Sequence, residues 1–229
     1  MKNVLMLAVA LLSINVAQAQ LKYSLANKAS TGVTFQIAYS LGVHDGTVSE
    51  MDSSIQLSDK NKILTGEFSV PISAMSTGNA TRDCHMREAL GIKYEGSAFP
   101  ADHVCINNEL PTSGPDSLAF NKLQFKFKNV KATTSELPEV LEVGKSYPVL
   151  IQGQWTLHGV TVDVGAEESI AVQVKLLDGV TGELQLFGKF ELSLAKFGVV
   201  VKPFKLGFVK IGVADNAKIT INTRLLPKK

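Results

Sequence analysis

A chain of 229 residues, 45% of them hydrophobic, can bury a full core, and two cysteines are too few for a disulfide-dense miniprotein or a cysteine zinc cage. The formal charge of +2, from 23 Lys and Arg against 21 Asp and Glu, supplies no concentrated basic face and argues against nucleic acid as a partner. In chain order, residues 1–19 read as a secretory signal, with Lys2 in a positive n-region, the apolar run Val4–Leu12 and the small-x-small site Ala17-Gln18-Ala19. The run is shorter than the roughly 20 residues of a membrane span. A buried N-terminal strand or helix is the alternative. No cysteine lies near the cleavage site to carry a lipid anchor. Residues 20–229 are therefore expected to form one exported domain, periplasmic or secreted, without stable membrane insertion. Export permits Cys84 and Cys105 to pair, two free thiols being the alternative.

From residue 33 onward the chain alternates with period two. Val33, Phe35, Ile37 and Tyr39 share a face opposite Thr34, Gln36 and Ser40. Leu123, Phe125 and Phe127 alternate with Gln124, Lys126 and Lys128, and Ile170, Val172, Val174 and Leu176 with Gln173 and Lys175. Phe190, Leu192 and Leu194, then Ile219 and Ile221, repeat the pattern. Such segments are strands with one apolar and one wet face, and antiparallel pairing suits them better than a parallel sheet. Turn signals fall at Asp45-Gly46, Ser58–Asn61, Asp178-Gly179, Thr181-Gly182 and Ala214–Asn216. Glu109–Asp116, with Pro111, Gly114 and Pro115, reads as a loop inside the domain.

One short helix is expected near residues 81–90, with Thr81 as N-cap, Asp83 in the first turn and Gly91 as the stop. In an all-β chain of nine or ten strand candidates it would plug one end of a closed barrel. Phe35, Phe125, Phe127 and Phe190 belong to the inward sets, and Phe68 and Trp155 join them. An eight-stranded barrel is either filled by such side chains or holds one small ligand, and alternation leaves both open.

The segment Thr77–Gly91, TGNATRDCHMREALG, resembles the signature of the YceI-like family in Thr77, Gly78, Asn79, Arg82, Asp83, His85 and Met86. Further pieces occur in the family's order: the opening strand Ala29–Phe35, the strand Leu64–Ile72, the aromatic-Pro step Tyr94–Pro100, the hairpin Gly153–Val162 and the late strand Phe187–Gly198. Cys84 and Cys105 depart from the family pattern, as does Val162-Asp163-Val164 where a charged turn is frequent. The resemblance implies an antiparallel, lipocalin-like β-barrel of about eight strands around an apolar pore for a polyisoprenoid, an isoprenoid quinone or another lipid. On that reading Phe35, Phe68, Met86, Phe125, Phe127, Trp155 and Phe190 line the lumen. Arg82, Asp83, His85 and His158 are candidates for its mouth or for a ligand head, with a structural role preferred for Arg82 and Asp83 and an exposed loop the alternative for His158.

Catalysis is disfavoured. His44, His85, His103 and His158 are scattered, and the chain has no H-E-x-x-H, Cys-x-x-Cys, G-x-S-x-G or phosphate-binding glycine loop. The expectation is a non-catalytic binding protein with an apolar small-molecule ligand and no other cofactor or metal. Transient membrane contact and a homodimer stay open. The alternative is a structural or protein-interaction barrel with a side-chain-filled core.

Overall fold

The computed structural model describes residues 21–26, 31–57, 63–90, 121–132, 141–165, 169–199, 204–206 and 209–227. Consecutive segments pair antiparallel as an up-and-down barrel of eight staves. Four staves are interrupted: β1 (Leu21–Leu25) with β2 (Val33–Tyr39), β3 (Gly42–Val48) with β4 (Asp52–Leu57), β5 (Ile63–Pro71) with β6 (Met75–Ser76), and β9 (Val160–Val164) with β10 (Ile170–Asp178). The continuous staves are β7 (Lys122–Ala132), β8 (Ser146–Leu157), β11 (Glu183–Ser193) and β14 (Val213–Pro227). Closure comes from β14, which pairs β1 at Leu25↔Leu225 and β2 at Phe35↔Ile219. Two short strands, β12 (Phe204–Leu206) and β13 (Val209–Ile211), form a separate hairpin between β11 and β14.

The first interruption is held by Thr31, whose buried hydroxyl donates to the Val48 carbonyl and accepts from the Val33 amide. At the β8–β9 end the chain reverses in two residues, His158 (φ 54°) and Gly159 (φ 73°), with Leu157 and Val160 paired across the turn. Two left-handed residues in succession match the strand twist, and glycine adopts the second without strain.

Two expected turns are strand. Asp45-Gly46 lies inside β3, and the chain reverses instead between Tyr39 and Gly42. Gly46 is there for space: a Cβ on it would lie 2.1 Å from the ring of Phe35, its cross-strand partner. Ala214–Asn216 lies inside β14, where the register with β2 shifts between Val213 and Ala217. The two turns between β10 and β11 form where expected, and Ser58–Asn61 and Glu109–Asp116 lie outside the described residues.

Inward rows follow the register, and they pack as two clusters. The lower one, at the β10–β11 turn end, is tight, with Val149 and Leu225 fully enclosed beside Ile55, Val174 and Leu184. The upper one gathers Phe35, Val48, Ile72, Leu157, Leu192 and Phe197. Leu25, Phe68, Trp155 and Ile221 touch both and are only partly buried.

Candidate ligand-binding lumen

The helix α1 (Ala80–Ala89) sits at the upper end after β6. Its cap is Asn79 rather than the expected Thr81, since Asn79 Oδ1 accepts from the Arg82 amide at 2.9 Å and the Asn79 carbonyl accepts from Asp83. An Asn side chain reaching the third amide satisfies a donor that the first turn otherwise leaves unpaired.

One helical face anchors α1. The buried Asp83 carboxylate accepts from Ser76 Oγ (2.7 Å), the Thr77 amide (2.7 Å) and Thr77 Oγ1 (2.6 Å). One turn on, buried Arg87 donates from Nη2 to the Ser73 carbonyl at 2.6 Å and the Met75 carbonyl at 3.4 Å. Asp83 and Arg87 thus tie both turns of the helix to the Ser73–Thr77 segment, a structural role. The next face carries Arg82, Met86 and Ala89, three and four residues apart. Met86 and Ala89 pack on the upper cluster. His85 is on the exposed side of the helix, away from that cluster.

Aromatic rings cross the middle of the barrel. Phe125 stacks near Trp155 (centroids 4.4 Å), Trp155 meets Phe190 (5.7 Å), and Phe127 lies 6.0 Å from Phe68 and 6.2 Å from Phe125. The seven residues expected to line the lumen divide into two groups. Phe35, Phe125 and Phe127 are buried at 6%, 4% and 4% exposure, and two of them lie against glycines: Phe35 over Gly46 and Phe127 over Gly66. Phe68, Trp155, Phe190 and Met86 keep partial exposure, together with Ile37, Leu123, Ile219 and Ile221. Inward side chains of a closed barrel retain exposure only where the space beside them is not filled by their neighbours. The partly exposed inward side chains therefore lie in the middle and upper barrel.

His158 is half-buried in its turn, and Nδ1 lies 3.1 Å from the Phe197 carbonyl. A carbonyl only accepts, so Nδ1 carries the proton and the ring ties the β8–β9 turn to the 3-10 turn Ala195–Phe197. Cys84 is buried in α1 and is not a free thiol, and Cys105 lies outside the described residues. Sequence reasoning missed the stacked pair Tyr39–His44 at the end of the β2–β3 hairpin, with ring centroids 4.1 Å apart. The alternation that placed Tyr39 inward was the available signal, and the misplaced turn at Asp45-Gly46 hid His44. Among the described residues no three His, Cys, Asp or Glu side chains gather as a metal site, and no helix is long and apolar enough to cross a membrane.

No protein-family profile matches the chain, and no curated protein sequence does. Solved structures match its fold. A polyisoprenoid binding domain from Saccharophagus degradans, implicated in plant cell wall breakdown, aligns at TM-score 0.58 and 10% identity over 91% of this chain and 99% of that one. BcnA of Burkholderia cenocepacia aligns at 0.54 and 11% over 88% and 95%, and a YceI protein of Campylobacter jejuni at 0.52 and 12% over 80% and 85%. At such identities the likeness is one of fold. The chain has the antiparallel, lipocalin-like barrel fold of YceI-like proteins, with a short helix, α1, at its upper end.

Proposed function

We propose that the protein is an exported, non-catalytic carrier that holds a long apolar molecule, a polyisoprenoid or isoprenoid-quinone-like lipid, in the middle and upper barrel. One observation carries the reading: the lower barrel encloses Val149 and Leu225 fully, while Phe68, Trp155, Phe190, Leu123, Ile219 and Ile221 toward the middle and upper end stay partly exposed on inward rows. Burying hydrocarbon there contributes roughly 0.8 kcal/mol per CH₂ before ordering costs. The polyisoprenoid-binding neighbour of the same fold supports the ligand class and a binding role.

The apolar tip residues Leu41 (63% exposed) and Val43 (53%) lie at the same end as α1 and suit brief contact with a bilayer during ligand exchange. The signal-like residues 1–19 support export. Pairing of Cys84 with Cys105 would tether the helix to the segment after it, and the buried, non-free Cys84 supports that pairing. Alkylation with and without reductant, followed by intact mass, checks it: two modifiable thiols before reduction refute the bond.

The enclosed lower cluster favours a second reading, a barrel filled throughout by its own side chains. Organic extraction of protein purified from its native host, followed by lipid mass spectrometry, separates the two. A stoichiometric isoprenoid supports the carrier. Lipid-free protein that also fails to take up added isoprenoid supports the filled barrel.

A further inference from the structure

The upper end carries three polar side chains from separate elements, Tyr39 on β2, His44 on β3 and Arg82 on α1. On the β2–β3 hairpin the register sets Ile37 opposite His44 and Tyr39 opposite Gly42. Tyr39 ends the inward row that begins with Val33 and Phe35 on β2, and His44 is the last side chain before Gly42 on the row that begins with Val48 and Gly46 on β3. Their rings stack at 4.1 Å with 12° between planes. Arg82 stands on the α1 face that carries Met86 and Ala89 onto the upper cluster. Its charge reaches His44: burial first, then Arg82, holds the imidazole below its ordinary proton affinity, against an opposing pull from Asp45.

Among the described residues the nearby acids accept hydrogen bonds from other groups. Asp83 is engaged by Ser76 and Thr77 on the adjoining helix face, and Asp45 lies on the outward row of β3, accepting from Gln36 Nε2 at 2.7 Å. Among the described residues the half-buried Arg82 guanidinium has no carboxylate partner. The end of the barrel thus carries one guanidinium, one imidazole and one phenol, beside inward apolar side chains that stay partly exposed.

We propose that Arg82, His44 and Tyr39 form a head-group site for an anionic oxygen group, phosphate or carboxylate, at the end of the apolar chain in the upper barrel. A guanidinium fork matches two oxygens of such a group, and the imidazole and the phenol each offer a further donor. A neutral hydroxyl head would leave the guanidinium with only single, weaker bonds. This inference rests on the carrier reading above and adds the charge of the ligand to it.

The test uses delipidated mature protein titrated at low salt with farnesyl phosphate, farnesoic acid and farnesol, which share one chain and differ in the head. At least one anionic probe should bind about tenfold or more tightly than farnesol, as expected for charge-assisted bonds. Which probe does so names the oxyanion. Arg82→Gln should bring that ratio close to one and Arg82→Lys should keep part of it. If Arg82→Gln does not fold, the double change Tyr39→Phe, His44→Phe should lower the same ratio from the other side of the cluster. Farnesol binding as tightly as both anions in the wild type, or a ratio untouched by these substitutions, overturns the head-group site and leaves the carrier standing. Failure of all three probes to bind overturns both.

Discussion

Gly66→Ala tests whether the lumen owes its open space to glycine. Gly66 on β5 pairs with Phe127 on β7, and a Cβ added to it would lie 1.9 Å from Cζ and 2.3 Å from Cε1 of the Phe127 ring. Ordinary carbon contacts are about 3.5–4.0 Å, so the ring must move by on the order of 1.5 Å or more. Its aromatic neighbours are Phe68 and Phe125, whose centroids are 6.0 and 6.2 Å away, so the displaced ring presses on them. Overpacking costs about 1–3 kcal/mol, partly offset by the roughly 0.5–1 kcal/mol that Ala gains over Gly in a strand. The net, about 1–2 kcal/mol in a domain of this size, lowers the Tm by roughly 2–8 °C. Because Phe68 is one of the partly exposed inward side chains, bound lipid should fall or shorten together with the Tm. Thermal unfolding and lipid mass spectrometry on the same preparations check both. Wild-type Tm with wild-type lipid content would mean that the ring does not lie across Gly66, and the account of the lumen would fail with it.

Trp155 is the single tryptophan and lies between Phe125 and Phe190, so removing bound lipid should shift its emission and re-adding isoprenoid should restore it; a spectrum indifferent to lipid counts against a ligand at that level. Asp83→Asn keeps the side-chain volume but removes the charge from three accepted hydrogen bonds, which should destabilise the protein by on the order of 2 kcal/mol in urea unfolding. An unmoved midpoint would show that α1 is not anchored through Asp83. His44, whose proton affinity is lowered in the fold, binds its proton more readily in the unfolded chain. Its contribution to stability is present above about pH 6.5 and is lost as pH falls through that value toward the lower folded one. His44→Gln should flatten that part of a stability-versus-pH curve, and a curve of unchanged shape would contradict the shift.

The all-β class was legible from the residues alone, because period-two alternation is a local property that survives into the sheet: the rows led by Phe35, Phe125, Val172 and Ile219 face inward as they read. The helix was legible to within a residue at each end, since Asp83 in the first turn and Gly91 as a stop are local signals, although the cap is Asn79 and not Thr81. Turns were less legible. Asp45-Gly46 reads as a reversal from composition, yet Gly46 is set by a ring on the neighbouring strand, a contact with no local signal. Only the tertiary structure decided which inward aromatics lie back against the wall over Gly46 and Gly66 and which border open space, because that depends on cross-strand register. Register likewise ended the inward row at His44 beside Tyr39, and the packing of α1 brought Arg82 to the same end. Tyr39 and His44 meet across a local hairpin, whereas Arg82 reaches their end of the barrel only because β6, which leads into α1, pairs with β3.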